Sequence, residues 1–304
     1  MLDTIIKNGT IVDGTGRLRY KADIGIQDGH IRIIGKIQDA SAKHLIDAST
    51  LIIAPGFIDM HSHSDMSLFD DPGGESKAFQ GVTTEVTGNC SYSAFPIAKD
   101  RKGDLGMGSM DWPVEWEWND LDGWANALES KGISINIAPQ LGQAALQVAV
   151  GAVEERLVTK DEMKEMQKLA EESIEQGAVA LATGMSYYPN SWSNTEELIE
   201  LCTAADKAGG LYVTHLRDVN TERGFEGGGV EEALEIGRKS GVKVHFSHFR
   251  TTPEDFGVMS AEEKISLIDK AKSEVDSTLE LYPYPVGSSF AIMTLDSISQ
   301  DGGT

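Results

Sequence analysis

Cysteine and long apolar runs are both scarce in this chain of 304 residues. Its two cysteines, Cys90 and Cys202, stand in quite different settings, which argues against a disulfide framework. No segment approaches the ~20 consecutive apolar residues of a membrane-spanning helix. The N-terminal residues MLDTIIKNGT also lack the basic start, apolar run and cleavage site of a secretory signal, so a cytoplasmic location is expected.

Basic residues are also few, with 26 Lys and Arg against 48 Asp and Glu, which gives a formal net charge of -22. An acidic surface repels phosphates, so neither nucleic acid nor an anionic membrane is expected as a partner. With 40% hydrophobic residues, the chain has the composition of a globular protein with a sizeable core. The composition does not define an oligomeric state.

The first ~55 residues are predicted to form short strands separated by turns. Val and Ile runs alternate with Asn-Gly, Asp-Gly and Pro-Gly pairs in the segments TIIKNGTIVDGTG, ADIGIQDGHIRIIG and HLIDASTLIIAPG. This pattern indicates a small β domain over residues 1–55.

Beyond residue 55, strand-like runs alternate with helical segments. Thr159 and Glu162 form a capping-box pattern ahead of a helix that Gly177 ends. A second helix is predicted from about Thr195 to Lys207. Cys202 lies on its apolar face and is interpreted as a small core residue.

Seven strand-like runs can be counted in this part of the chain: GFIDMH, TTEVTGNC, SINIAPQ, AVALATG, LYVTH, VKVHFSH and TLELYPY. Strands that alternate with helices form parallel βα units, and a (β/α)8 barrel needs eight of them. The predicted fold class is therefore α/β, with a TIM-like barrel over residues 56–304 that contains about seven of its eight units.

The active site of such a barrel lies at the C-terminal ends of its strands, so the polar residues there are the candidates. Six residues occupy these positions: His61, His63, Cys90, Tyr187, His215 and His248. Imidazole and thiolate are ligands that suit zinc. The remaining histidines, His30, His44 and His245, do not fit as ligands.

Each candidate also has a purely structural interpretation. A lone histidine at a strand end is more often hydrogen bonded in packing, and a His-x-His pair requires only strand alternation. Cys90 is favoured as a ligand because it follows a strand rather than facing a helix core. For Arg217, Asp218 and Arg250, a solvated rim of salt bridges and a substrate-binding role are about equally supported.

Several motifs then show a resemblance to the amidohydrolase superfamily, and within it to the D-aminoacylase and N-acyl-D-amino-acid deacylase group. The matching stretches are APGFIDMHSHSD, GVTTEVTGNCS, EWEWNDLDGWANALESKGISINIAPQLG, EQGAVALATGMSYYP, GGLYVTHLRD, SHFR and LYPYPVGSS. The resemblance implies an α/β protein with a barrel over residues 56–304. It also implies that residues 1–55 are the N-terminal part of a small β-sandwich domain.

The resemblance implies zinc-dependent hydrolysis of N-acyl-D-amino acids to a carboxylate and a free D-amino acid. One zinc would be bound tightly by Cys90, His215 and His248, and His61 and His63 would provide a second position that is weak or empty. The stretch AVALATGMSYYP contains no lysine, whereas many other amidohydrolases bridge two metals with a carboxylated lysine. This difference favours the cysteine type of site.

The resemblance assigns further roles around the zinc. Tyr187 would donate a hydrogen bond to the oxyanion that develops during hydrolysis. Arg250, Tyr282 and Ser288 would bind the substrate carboxylate, with arginine in place of the usual lysine. Departures at Gln143, Asn190 and Val219 leave the acyl and side-chain preference open.

An aspartate after the eighth strand is the general base implied by the resemblance, and no such strand occurs in this sequence. Asp296 and Asp301 are the last acidic residues, and they follow the seventh run too closely. We therefore expect a C-terminally incomplete chain whose general base lies beyond residue 304, and we do not expect these 304 residues alone to be active.

Two alternative functions stay open at this point. The first is a cyclic-amide amidohydrolase, such as a hydantoinase or a dihydroorotase-like enzyme, although its usual lysine is absent. The second is a non-catalytic binding protein on the same barrel, against which the retention of Cys90, His215 and His248 argues.

Overall fold

The structure is a computed structural model and describes residues 1–38, 41–97, 99–105, 114–217, 228–249, 259–284 and 286. The chain divides into two compact units, Met1–Phe57 and Ile58–Thr304. Within the described residues, no helix combines the length and apolar character that a membrane crossing requires.

The first unit contains one five-stranded sheet in its described residues, where the sequence predicted part of a β-sandwich. Its strands are β1 (Leu2–Ile11), β2 (Tyr20–Gln27), β3 (His30–Gly35), β4 (Ala42–Asp47) and β5 (Ile52–Ile53). The order is β3-β2-β1-β4, with β5 also paired to β1. β1 runs antiparallel to β2 and parallel to β4 and β5.

Two predicted turns in this unit have different outcomes. Asp28 and Gly29 both have positive φ and join β2 to β3 in a tight hairpin, as their sequence predicted. Asn8 and Gly9 do not form a turn: they lie inside β1, where the pairing register with β2 shifts. Asn8 takes a φ of 62°, and its backbone N–H donates to Asp23 Oδ1 at 2.8 Å, so the pair is a bulge.

The second unit contains strands that alternate with helices. Its strands are β6 (Phe57–Asp59), β7 (Val82–Thr87), β8 (Asn136–Pro139), β9 (Leu141–Gly142), β10 (Ala180–Gly184), β11 (Leu211–His215), β12 (Val244–Phe246) and β13 (Ser277–Leu279). Its helices are α1 (Glu75–Ala78), α2 (Leu121–Glu129), α3 (Gln143–Val150), α4 (Lys160–Glu175), α5 (Thr195–Lys207), α6 (Gly228–Ser240) and α7 (Ala261–Ala271).

The strands follow one another in chain order across two sheets, β6-β7-β8 and β9-β10-β11-β12-β13. The pairs from β9 to β13 are all parallel, as is the pair of β7 with β8. The predicted run SINIAPQ contains β8 and ends at Gln140, whose backbone N–H donates to the Thr87 carbonyl oxygen at 2.9 Å. β8 pairs with β7, whereas β9, which begins directly after this run, pairs with β10.

Alternation along the strands separates two kinds of packing. Leu181 faces the large core, which also contains the buried residues Leu146, Met166, Leu201 and Leu234 of the surrounding helices. Its neighbours Ala180 and Ala182 form a separate small cluster with Val213. Successive strand residues point to opposite faces, so the face without the helices carries small side chains.

The two predicted helices are confirmed. In α4, the Thr159 side chain accepts the Glu162 backbone N–H and the Glu162 side chain accepts the Thr159 N–H, which completes the capping box. In α5, one face is fully buried and contains Leu198, Leu201, Cys202 and Ala205. Cys202 is therefore a core residue, as its position predicted.

The capping box of α4 gives a direct test of this local structure. Thr159→Ala removes the acceptor for an otherwise unpaired N–H and should lower the free energy of unfolding by about 1 kcal/mol. The matched control is Lys160→Ala, an exposed substitution at the next residue that should stay within about 0.5 kcal/mol of the parent. Urea denaturation followed by circular dichroism measures both, and equal values would contradict the role of the cap.

Candidate metal centre

The turn after β7 places Cys90 against three neighbouring strands. Cys90 lies in a single helical turn, Asn89–Ser91, and has a φ of 53° and a ψ of 30°. The next residue, Ser91, also has a positive φ, of 77°. Non-glycine residues rarely adopt this conformation, which costs about 1–3 kcal/mol per residue, so the surrounding structure must hold the turn in place.

Serine side chains fasten this turn to the start of α3. Ser91 Oγ accepts the Ala144 backbone N–H at 2.7 Å, and Ser93 Oγ accepts that of Gly142 at 2.9 Å. Both N–H groups belong to the first turn of α3 or its cap, where backbone donors have no partner within the helix. The hydroxyl groups thus satisfy these donors and fix the turn that carries Cys90.

Three glycines allow the close approach of this turn to its neighbours. A Cβ at Gly88 would lie 2.2 Å from the Gln140 carbonyl oxygen, one at Gly142 1.9 Å from the Ser91 oxygen, and one at Gly184 2.5 Å from the Cys90 oxygen. Each obstructing atom belongs to the backbone, so no side-chain rotation can relieve the clash.

Gly142→Ala should therefore disturb the Cys90 turn. Gly142 has a φ of -78°, which alanine adopts freely, so the effect would be steric alone. We expect a loss of about 1–3 kcal/mol in the free energy of unfolding. Gly103→Ala is the matched control, because its Cβ would meet no atom within 4 Å. Thermal and urea denaturation of the two variants would contradict this account if they gave the same stability.

Three of the predicted histidine ligands converge on the Cys90 sulfur. Sγ lies 3.5 Å from His61 Nε2, 3.8 Å from His215 Nδ1 and 3.4 Å from His248 Nε2, and the last two nitrogens are 2.8 Å apart. Cys90 and His215 are buried, at 4% and 6% exposure. His248, like Cys90, has a positive φ, of 33°.

Two overlapping groups of side chains could hold a metal ion in the described residues. One contains His61, His63 and Cys90, and the other contains Cys90, His215 and His248; within each, the ligand atoms lie within 4.8 Å of one another. Zinc bonds of about 2.3 Å to sulfur and 2.0–2.1 Å to nitrogen place those atoms roughly 3.5 Å apart in a tetrahedral site. The sulfur-to-nitrogen distances of 3.4–3.8 Å fit this geometry.

Glu280 is a further residue of the candidate centre, and none of the sequence motifs predicted it. It follows β13, and its Oε1 lies 2.8 Å from His61 Nδ1 and 2.5 Å from the His248 backbone nitrogen. Burial alone would raise the pKa of Glu280, but these two hydrogen bonds hold it below the usual range. The criterion that selected the histidines, a polar residue at the end of a strand, also applies to Glu280.

Tyr187 lies beside the histidines. Its ring centroid is 4.5 Å from that of His215 and 6.0 Å from that of Tyr92. The loop after β10 that carries it is held by buried amides: the Asn190 side chain accepts the Gly184 N–H at 2.9 Å and donates to Gln147 at 2.8 Å. Gln143, another site of sequence departure, donates to Ser193 Oγ at 2.8 Å.

Arg217 does not line an open rim. It forms an ion pair with Glu232 at 2.8 Å, and the two side chains are only 1% and 3% exposed. Its two terminal nitrogens donate to the carbonyl oxygens of Ser191 and Ser193 at 3.1 and 2.8 Å. Arg217 therefore holds the end of the Tyr187 loop from within the protein.

The remaining predicted residues have mixed outcomes. Tyr282 lies beyond Glu280 with its ring 6.4 Å from that of Tyr284. His245 belongs to neither group of ligands and pairs with Thr278 at 2.8 Å, while burial lowers its pKa. Outside the described residues lie Arg250, Ser288, Asp218, Val219, Asp296 and Asp301.

Family models match both parts of the chain. Residues 44–108 match the amidohydrolase family, and residues 1–56 match the N-terminal domain of the urease alpha-subunit. D-aminoacylase of Alcaligenes xylosoxydans xylosoxydans is 35% identical over 287 residues, which are 94% of this chain and 58% of that protein.

Solved structures give the same result. The N-acyl-D-glutamate deacylase of Bordetella bronchiseptica, complexed with zinc and a phosphonate mimic of the tetrahedral intermediate, matches with a TM-score of 0.83 and 34% identity. A D-aminoacylase with a binuclear metal center, described by one-metal activation and second-metal attenuation, matches with a TM-score of 0.84 and 32% identity. Both matches cover 93% of this chain and 59% of the solved chain. The chain thus spans about three fifths of these relatives' length. It is a relative of the D-aminoacylase and N-acyl-D-amino-acid deacylase group of the amidohydrolase superfamily, as its motifs predicted.

Proposed function

We propose that this chain carries the zinc centre of an N-acyl-D-amino-acid deacylase, which hydrolyses a linear amide to a carboxylate and a free D-amino acid. The observation that carries the proposal is the convergence of His61, His215 and His248 on Cys90. The similarity to D-aminoacylase along 94% of the chain also supports the proposal. Zinc, when bound there, would polarise the amide carbonyl and acidify a water molecule.

The two groups of ligands would differ in strength. Cys90, His215 and His248 would hold one zinc tightly, since two of these side chains are buried and the thiolate offsets positive charge. His61 and His63, which share Cys90, would provide the second, weak or unoccupied position. His63 is exposed, in keeping with a weaker site.

Tyr187 would stabilise the oxyanion by donating a hydrogen bond from its phenol. Its ring lies against His215, and the buried amides of its loop fix its position in advance. Tyr282, together with Arg250 and Ser288, would bind the substrate carboxylate.

We also propose that the second unit is a TIM-like (β/α)8 barrel that contains about seven of the eight units. Support comes from the strictly sequential order of its strands and from the parallel pairs from β9 to β13. The clustering of candidate ligands at the C-terminal ends of β7, β11 and β12 is typical of such a barrel. The small N-terminal unit would form part of a β-sandwich.

The cyclic-amide alternative is less well supported. Strand β10, Ala180–Gly184, reads ALATG and offers no lysine to bridge two metals. Cys90 is instead the residue that both ligand groups share.

Ligand binding to the zinc-loaded chain tests the proposal. Isothermal titration with N-acetyl-D-amino acids, their L enantiomers and hydantoins should show zinc-dependent binding that favours the D enantiomers. Release of free D-amino acid is measured in parallel. A preference for hydantoins or for L enantiomers, or no zinc-dependent binding of any N-acyl-D-amino acid, would contradict the proposed substrate class.

A further inference from the structure

The backbone of Glu280 is fixed by the neighbouring strand. The Glu280 N–H donates to the Phe246 carbonyl at 3.2 Å, and the Glu280 carbonyl accepts the Phe249 N–H at 2.8 Å. These bonds continue the parallel ladder of β12 and β13 past the ends of both strands. The side chain therefore starts from a defined position, next to the turn that carries His248.

Glu280 contacts His61 through the ring nitrogen that does not face Cys90. Its Oε1 is 2.8 Å from His61 Nδ1, and both side chains are largely buried, at 14% and 18% exposure. A carboxylate can only accept hydrogen bonds, so Nδ1 must carry the proton in a neutral imidazole. The lone pair of Nε2 is then directed to the side where Cys90 Sγ lies, 3.5 Å away.

The same carboxylate oxygen accepts the backbone N–H of His248. His248 has a positive φ, so its turn needs support from outside the local backbone. Glu280 thus connects His61, of the first ligand group, to His248, of the second, although Glu280 belongs to neither group. The backbone of His61 is held separately, because its N–H donates to Asp59 Oδ1 at 3.1 Å.

We infer that Glu280 is a positioning residue that sets the Nδ1–H tautomer of His61 and links the two metal-ligand groups. This inference rests on the proposed zinc centre, because the consequence of the Nδ1–H tautomer is that His61 Nε2 becomes available as a zinc ligand. Carboxylates that accept from a ligating imidazole typically contribute 10–100-fold to metal affinity. Glu280 should therefore affect zinc affinity at the weak position, formed by His61 and His63 and called the His61 position below, more than at the tight position of Cys90, His215 and His248.

The test combines zinc titration with the tautomer of His61. Zinc affinity is measured with a competing chelator dye in the parent, Glu280→Ala and Glu280→Gln. The tautomer is read in the metal-free protein by long-range ¹H–¹⁵N correlation with ¹⁵N-labelled histidine. We expect Glu280→Ala to lower zinc affinity at the His61 position about 10–100-fold and to mix the His61 tautomers. In Glu280→Gln, the amide oxygen still accepts from Nδ1–H, so the tautomer should persist and the loss should be smaller.

Glu162→Gln is the matched control, because Glu162 is also a partly buried carboxylate, 20% exposed, held by Arg156 at 2.7 Å. It should change neither zinc affinity nor the His61 tautomer. An unchanged His61 tautomer in Glu280→Ala would overturn the inference. A loss of zinc affinity no larger than that of Glu162→Gln would do the same. If Glu280→Ala fails to fold, a pure Nε2–H tautomer in the parent would overturn it equally. A parent chain that binds no zinc would refute the proposed function, whereas the tautomer measurement would still decide this inference.

Discussion

The Cys90→Ala variant is expected to lose the tight zinc that we propose for the parent chain, at about one ion per chain. Cys90 is the residue shared by both candidate ligand groups, and its sulfur lies 3.4–3.8 Å from three histidines. Removing even a supporting residue outside the coordination sphere costs 10–100-fold in affinity. Loss of the thiolate itself should lower zinc affinity by roughly a hundredfold or more. Elemental analysis after dialysis and a competing chelator measure this effect.

Cys202→Ala provides a matched control within the same chain. Cys202 is fully buried on the apolar face of α5, and burial raises the pKa of its thiol far above the usual value. A neutral thiol in a helix core contributes packing, so this variant should keep its zinc while losing some stability. Equal zinc content in the two variants, whether retained or lost, would contradict the assignment of Cys90 as the ligand.

The second large effect is expected from Arg217→Met. The substitution leaves Glu232 buried without its cation and removes the donors to the Ser191 and Ser193 carbonyl oxygens. Breaking a buried ion pair from one side typically costs about 3–5 kcal/mol, because the remaining charge is left uncompensated in the interior. Urea denaturation should show a loss of this size.

Two further variants separate the buried charge from general damage. Arg238→Met breaks a more exposed pair with Glu274, in which the side chains are 33% and 56% exposed, and should cost less than about 1 kcal/mol. The double variant Arg217→Met with Glu232→Met removes both charges and should recover part of the loss. A cost for Arg217→Met no larger than that for Arg238→Met would contradict the role of this pair.

Much of the second unit could be predicted because its sequence patterns are local. Each of the seven strand-like runs overlaps an observed strand, and α5 spans the predicted residues. The same alternation distinguished Cys90, in a turn after a strand, from Cys202, on a helix face. Strand ends also selected His61, His215 and His248, because parallel strands bring their carboxyl ends together.

The features that could not be predicted depend on contacts between distant residues. The partner of Arg217 is Glu232, on α6, and whether the pair is buried depends on packing rather than on composition. The change of pairing partner around Gln140, from β7 for strand β8 to β10 for strand β9, also depends on distant residues. Asn8 and Gly9 illustrate a third limit, since the positive φ that favours a turn also suits a bulge inside a strand.

X-ray absorption at the zinc edge tests the central claim most directly, because it counts the sulfur and nitrogen neighbours of the bound ion. The chain loaded with one zinc should show a single sulfur at about 2.3 Å and two or more imidazole nitrogens at about 2.0–2.1 Å. In the Cys90→Ala variant reloaded with zinc, the sulfur shell should vanish. A first shell of nitrogen and oxygen alone in the parent chain would contradict a zinc centre built on Cys90.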